Sequence, residues 1–290
     1  MVACTPHPGY GTVSLERRPG IVRTVDLATC RATTVAKRVV IPTLTVSAAR
    51  HGTRGTQTIR YRGRAVYTVH ERYDRIPGGS PGPIELFGLT PDRKWALFAI
   101  DPQNSGSLAA DGLTLEAVPV ADGRPHVVAT GLLADDYRAW CDGQLVMTAG
   151  GDRLAGHHKW LIATGPPTWR ARVLVHNPRR AFGALACAGN SVVIQSARDV
   201  GPNDNSQPDW SLSRVRLADA KATVLDTPPR GYSDDSPRVA RDGRILFIRS
   251  HRAQGVLFAL GVGPLLDVGT DDGYYGHRAW TFVSWSLQTG

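Results

Sequence analysis

The chain has 290 residues, 42% of them apolar and 20% charged, with 34 basic side chains against 25 acidic ones for a net charge of +9. This is a globular balance with enough apolar material for a core, and it excludes a disordered chain. No run of eighteen or so apolar residues occurs, so no membrane-spanning helix is expected, and helical periodicity is scarce throughout.

Taken in order, the chain reads as short strands separated by turns. Gly11–Glu16, Ile21–Leu27 and Thr33–Ala36 come first, followed by a less regular group, Leu44–Ser47, Thr58–Tyr61 and Ala65–His70. Beyond it a tight turn repeatedly precedes a strong apolar strand. Pro91-Asp92-Arg93 precedes Trp95–Ile100, Asp142-Gly143 precedes Leu145–Thr148, Ala188-Gly189 precedes Val192–Gln195, and Asp242-Gly243 precedes Ile245–Ile248. Asp-Gly between two apolar runs is a hairpin signal, because Gly reaches positive φ at little cost. Two further strands follow each of these: Leu113–Val120 and His126–Thr130, then Trp160–Thr164 and Ala171–Val175, then Trp210–Leu217 and Thr223–Leu225, and last Val256–Leu260 and Leu265–Val268.

The turns recur about every fifty residues with several strands per period, which is the signature of propeller blades. Ala279–Ser286 reads as an inner strand without followers, and the N-terminal group supplies three strands without a leader. Joining them closes a ring of blades and removes exposed strand edges. The expected fold is therefore all-β, a single six-bladed β-propeller over 1–290 with four-stranded antiparallel blades. Its units are 1–38 with 279–290, 39–83, 84–133, 134–180, 181–230 and 231–270.

At Ser236-Pro237, Asp242-Gly243-Arg244-Ile245 and Phe247, followed by Val256-Leu257-Phe258, the chain resembles the repeat of TolB-like six-bladed propellers. Thr90-Pro91-Asp92 and Trp285-Ser286 echo parts of it, and the other units are degenerate. The resemblance implies a binding or scaffold protein outside the cytoplasm, with a protein or small polar ligand on one face; a monomer is expected. The alternative is an enzyme of the lactonase or glycan-processing kind, with a carboxylate-bound cation at the channel mouth. Fold likeness does not choose between them.

Motifs that carry chemistry elsewhere are weak here. Gly78-Gly79-Ser80-Pro81-Gly82 matches the nucleophile-elbow pattern, but its proline flanks read as a loop and not as strand and helix. No phosphate-cradling glycine motif occurs. Asp101 opens a calcium-like loop that carries Gly112 where a Glu is needed. His157-His158 could ligate a metal, but neighbours on an extended chain point opposite ways, and the expected reading is a pair of exposed loop histidines. The basic residues are dispersed, with only four lysines (Lys37, Lys94, Lys159 and Lys221), so a solvated basic surface is expected and nucleic acid is not the expected partner.

Cys4, Cys30, Cys141 and Cys187 show neither CxxC nor zinc spacing. The favoured disulfide is Cys4–Cys30, which would staple the N-terminal segment. The even count permits two disulfides, in three connectivities, and Cys141 and Cys187, at matching repeat positions, are explained equally well as buried free thiols. No signal peptide is visible, although Val2-Ala3-Cys4 matches the end of a lipoprotein signal.

One pattern points to a ligand face. The second-to-third connections are long (Asp101–Gly112, Gly150–His158 and Arg198–Asp209), and strand alternation places them at one end with the segments leading into each blade. Those segments are acidic and aromatic: Asp135, Asp136 and Tyr137; Asp234 and Asp235; Asp271, Asp272, Tyr275 and His277. Carboxylates from several blades would gather at the mouth and repel one another unless a cation or an arginine neutralised them. Calcium is the cation such oxygen ligands would take. The competing account has each aspartate bonding the backbone amides of its own turn.

Overall fold

The computed structural model describes residues 4–16, 21–36, 43–72, 84–100, 114–130, 137–150, 158–198, 209–252, 254–270 and 281–287. Among these residues there are twenty-three strands and no α-helix, and the strands form six antiparallel sheets. These sheets are the blades of a six-bladed β-propeller. Five have four strands, and the sheet built from Leu44–Arg72 has three among the described residues.

The chain divides into two compact units. The first holds three sheets. β1 (Thr12–Glu16), β2 (Ile21–Asp26) and β3 (Arg31–Ala36) are joined by β23 (Thr281–Ser286), which pairs antiparallel with β1. The strand expected from the far end of the chain thus completes the first blade. Trp285 secures it by stacking on Tyr10 and donating its Nε1 hydrogen to the Tyr10 carbonyl at 2.6 Å. The second sheet is β15 (Arg180–Ala188), β16 (Ser191–Arg198), β17 (Ser211–Arg216) and β18 (Ala222–Asp226). The third is β19 (Tyr232–Val239), β20 (Ile245–His251), β21 (Gln254–Ala259) and β22 (Gly263–Thr270).

The second unit likewise holds three sheets: β4 (Leu44–His51) to β6 (Arg64–Arg72) through β5 (Arg54–Tyr61), β7 (Ile84–Leu89) with β8 (Trp95–Ile100), β9 (Thr114–Pro119) and β10 (His126–Thr130), and β11 (Arg138–Cys141) with β12 (Gln144–Ala149), β13 (Trp160–Thr164) and β14 (Arg172–His176). In both units the core lies between facing sheets. Leu97, Leu115 and Val128 pack on Leu145, Met147 and Ile162, while Val13, Leu15 and Leu27 pack on Leu246, Leu257 and Leu266. Second strands therefore bury both faces, as in β16, where seven consecutive residues are buried. That explains why these strands stand out as continuous apolar runs and not as alternating ones.

The turns differ in detail from one blade to another. Asp142-Gly143 is a two-residue hairpin turn, with both residues at positive φ and Cys141 opposite Gln144. At Asp242-Gly243 only Gly243 has positive φ, and the loop is wider, closed by bonds between Ala240 and Arg244. The expected Ser-Pro lead-in is a bulge inside β19. The register slips between Asp235 and Arg238, Ser236 has φ 50°, and Pro237, which cannot donate to the ladder, sits at the irregularity.

Cys4 and Cys30 are disulfide-bonded with their Cα atoms 5.8 Å apart. The free-thiol reading of Cys141 and Cys187 is corrected, since both are disulfide-bonded and no free cysteine remains. Pairing between cysteines far apart in the chain depends on which strands lie side by side, which spacing does not encode.

Candidate functional site

Asp234 and Asp235 lie within β19, upstream of the bulge, and not in a loop ahead of it. In the β19–β20 register Asp234 stands directly opposite Arg249, and Tyr232 directly opposite His251. Positions two apart on a strand share a face. One face of this sheet thus carries Tyr232 and Asp234, then His251, Arg249 and Phe247, and then Gln254, Val256 and Phe258 of β21.

Arg249 organises that face. Its Nε and Nη2 donate to the two oxygens of Asp234 at 2.7 and 2.9 Å, and Nη2 also donates to Asp226 of β18 at 2.7 Å. Its guanidinium lies over the rings of Phe258 and Phe247, 4.7 and 5.4 Å from their centroids. A planar fork held by two carboxylates and two rings has little freedom left. Beside it the Tyr232 and His251 rings stack at 4.3 Å. Together with Gln254, Val256, Phe258 and Pro264 these residues line a recess of about 230 Å³.

Asp235 is held differently. Its carboxylate accepts from Ser250 Oγ and from Gln195 Nε2, both at 2.7 Å. Gln195 of β16 is itself buried and ties three segments together, since Nε2 also donates to the Asp234 carbonyl and Oε1 accepts from the Ala184 amide at 2.6 Å. A glycine makes this approach feasible, because a Cβ on Gly183 would lie 2.6 Å from Gln195 Oε1. In the second unit Gln57 of β5, also buried, accepts from the Ile84 amide at 2.9 Å. A glutamine on a second strand clamping the first strand of the following blade is thus used twice. Sequence reasoning missed it, although a buried-run glutamine in Val192–Ser196 was a visible signal.

Burial holds the carboxyls of Asp234 and Asp235 above the usual carboxylate range. Arg249 opposes that rise at Asp234, and Ser250 and Gln195 oppose it at Asp235. Arg249 is held above its ordinary value, chiefly by its hydrogen bonds to Asp234. Asp226 and Asp234 meet at Arg249, which supplies the positive charge that a cation would bring, while Asp235 is held apart from it by Ser250 and Gln195. Among the described residues no group of three or more His, Cys, Asp or Glu is placed to hold a metal ion.

Of the other anticipated site residues, Tyr137 lies in the second unit with its ring edge-on to His158 at 6.3 Å. Asp135, Asp136, Asp271, Asp272, Tyr275 and His277 lie outside the described residues, as do Ser80, the loop from Asp101 and His157. His158 is not an exposed loop histidine. It is fully buried, with Nδ1 3.5 Å from Thr148 Oγ1, and its ring occupies the space a side chain at position 150 would fill.

No family model matches the chain, and no curated protein matches it. Solved structures do resemble it. TolB from Acinetobacter baumannii aligns with a TM-score of 0.47 at 11% identity, over 95% of this chain and 68% of that one. A puromycin-hydrolyzing peptidase from Mycobacterium tuberculosis aligns at 0.44 and 12%, over 97% of this chain but only 48% of the peptidase, so the chain spans about half its length. An oligogalacturonate lyase in complex with manganese aligns at 0.45 and 15%, over 79% of this chain and 60% of the lyase. At such identities and scores these likenesses transfer no site, ligand or activity.

Proposed function

We propose that the protein is a single-domain, non-enzymatic binding propeller that acts outside the cytoplasm and holds a protein or small polar ligand at the Tyr232–His251 recess. The observation that carries this reading is the commitment of the site's charged groups. Arg249 is shared by Asp226 and Asp234, and Asp235 is bonded by Gln195 and Ser250. A proton-transfer catalyst needs an acid or base within reach of substrate and able to change partners. Groups locked in this way instead make a rigid wall, which lowers the ordering cost of binding. The recess also lies at the β20–β21 end of its sheet, which is the end assigned to the long second-to-third connections. Four disulfide-bonded cysteines fit an oxidising compartment, and among the described residues no helix is long and apolar enough to cross a membrane.

The test places a photo-crosslinking amino acid at Gln254, on the rim, and in a second variant at Val224, which is exposed on β18. After irradiation in the producing cells, the intact mass of the purified protein reports any adduct, large or small. A discrete adduct at position 254, absent at 224 and lost when His251→Ala is added, is the expected result. Equal labelling at both positions, or none at 254, overturns the recess as the binding site. Stoichiometric divalent metal in the purified protein would argue instead for the enzymatic alternative.

A further inference from the structure

At the opposite end of the same pair of sheets, the β15–β16 and β19–β20 turns flank an open cleft of about 570 Å³. Its walls include Arg214 of β17, Arg241 and Asp242 of the wide loop, and Asn190 and Ser191 beside the β15–β16 turn. We propose that this cleft is a binding site for a small oxyanion, a phosphate or a carboxylate, with Arg214 as its principal ligand.

Three observations support the assignment. The Nε of Arg214 is buried and has no hydrogen-bond partner among the described residues. A guanidinium cannot shed its charge, and although the buried Nε is not itself reached from the cleft, the Arg214 side chain lines the cleft with no acceptor at that atom to offset its charge. The carboxylate in the cleft does not offset that charge. Asp242 is bound by Arg244 through Nε at 2.7 Å and Nη2 at 2.6 Å, which holds its carboxyl below the usual range. A second guanidinium, Arg241, lies on an exposed turn at the rim and makes no ion pair among the described residues. Two arginines and one already neutralised aspartate make a net positive cleft, and planar forks of this kind recognise oxyanions through paired hydrogen bonds. The walls are also fixed in place. Cys187 is disulfide-bonded, and the β19–β20 loop is closed by bonds between Ala240 and Arg244 and between Gly243 and Ala240.

The test is thermal unfolding of the full chain against increasing inorganic phosphate and, separately, citrate, at constant ionic strength set by sodium chloride. A ligand that binds only the folded state raises Tm as its concentration passes Kd. The expected result is a saturable rise of about 2–4 °C with one or both anions, abolished in Arg214→Met and reduced in Arg241→Gln. The Arg214→Lys variant keeps the charge and loses the fork, so a partial response is expected from it. Phosphate alone, or citrate alone, would identify which oxyanion the site prefers. No saturable rise with either anion in the wild type, or a rise that Arg214→Met retains, overturns the proposal. The Tm of each variant without added anion shows that it folds.

Discussion

Arg249 and Arg214 occupy neighbouring blades and opposite ends of them, and their surroundings differ in one respect. Arg249 faces more acceptors than it has free choices, with two carboxylates and two aromatic rings around one guanidinium. Arg214 has a buried Nε with no acceptor among the described residues. A charged group that is fully bonded inside a fold is part of the scaffold, whereas one left unbonded is a liability unless something outside the chain completes it. The end with more carboxylates is therefore the better neutralised, and the end with fewer is the one short of negative charge.

The contrast breaks most readily at Arg249. Replacing it with Met leaves the fully buried Asp234 without its counter-ion, and removing one partner of a buried pair costs about 3–5 kcal/mol. Urea denaturation at neutral pH should show that loss. Changing Asp234 to Leu as well should recover part of it, because the stranded charge is then gone. A loss below about 1 kcal/mol in the single variant would place the pair among surface ion pairs and remove the contrast.

A smaller effect is expected at Asp235. Burial raises its folded-state pKa above the unfolded value near 3.9, so the folded protein binds that proton more tightly. Its contribution to stability is then fully present below the unfolded value and is lost as pH rises through the folded one. Asp235→Asn cannot titrate but keeps an acceptor for Gln195. The stability of the wild type relative to this variant should therefore decline from about pH 4 toward neutrality. A flat difference across that range would mean that Ser250 and Gln195 fully offset the burial.

The smallest change is expected at Arg214 itself. In the absence of added anion, Arg214→Met removes no hydrogen bond of Nε, so stability by urea denaturation should stay within about 0.5 kcal/mol or rise slightly. A loss of several kcal/mol would show that Arg214 is as firmly built in as Arg249.

The acidic doublet shows how far the chain could be read without its fold. Asp234-Asp235 stood out as two adjacent carboxylates before an Asp-Gly turn, and adjacency on a strand sends the two side chains in different directions. One meets Arg249 and the other meets Gln195, 40 positions away. Among the described residues the first is held by an arginine and the second by a glutamine and a serine. Arg249 lies fifteen residues from Asp234 in the chain, and only the cross-strand register sets them opposite each other. The register in turn depends on a bulge at Ser236-Pro237 that read as a boundary.

The order of strands and the turns between them were local matters, and the joining of the last strand to the first blade followed from counting strands per blade. Apolar runs and glycine turns recur along the chain, and short-range sterics and hydrophobic pattern suffice to place them. Which partner each charged side chain found was not local. Gln195 reaching past Gly183, Cys141 and Cys187 both oxidised, His158 buried against Gly150, and the Arg214 Nε without an acceptor among the described residues all follow from which strands face one another. Polar satisfaction is a property of three-dimensional neighbourhoods, where a difference of one residue in register exchanges every partner on a strand.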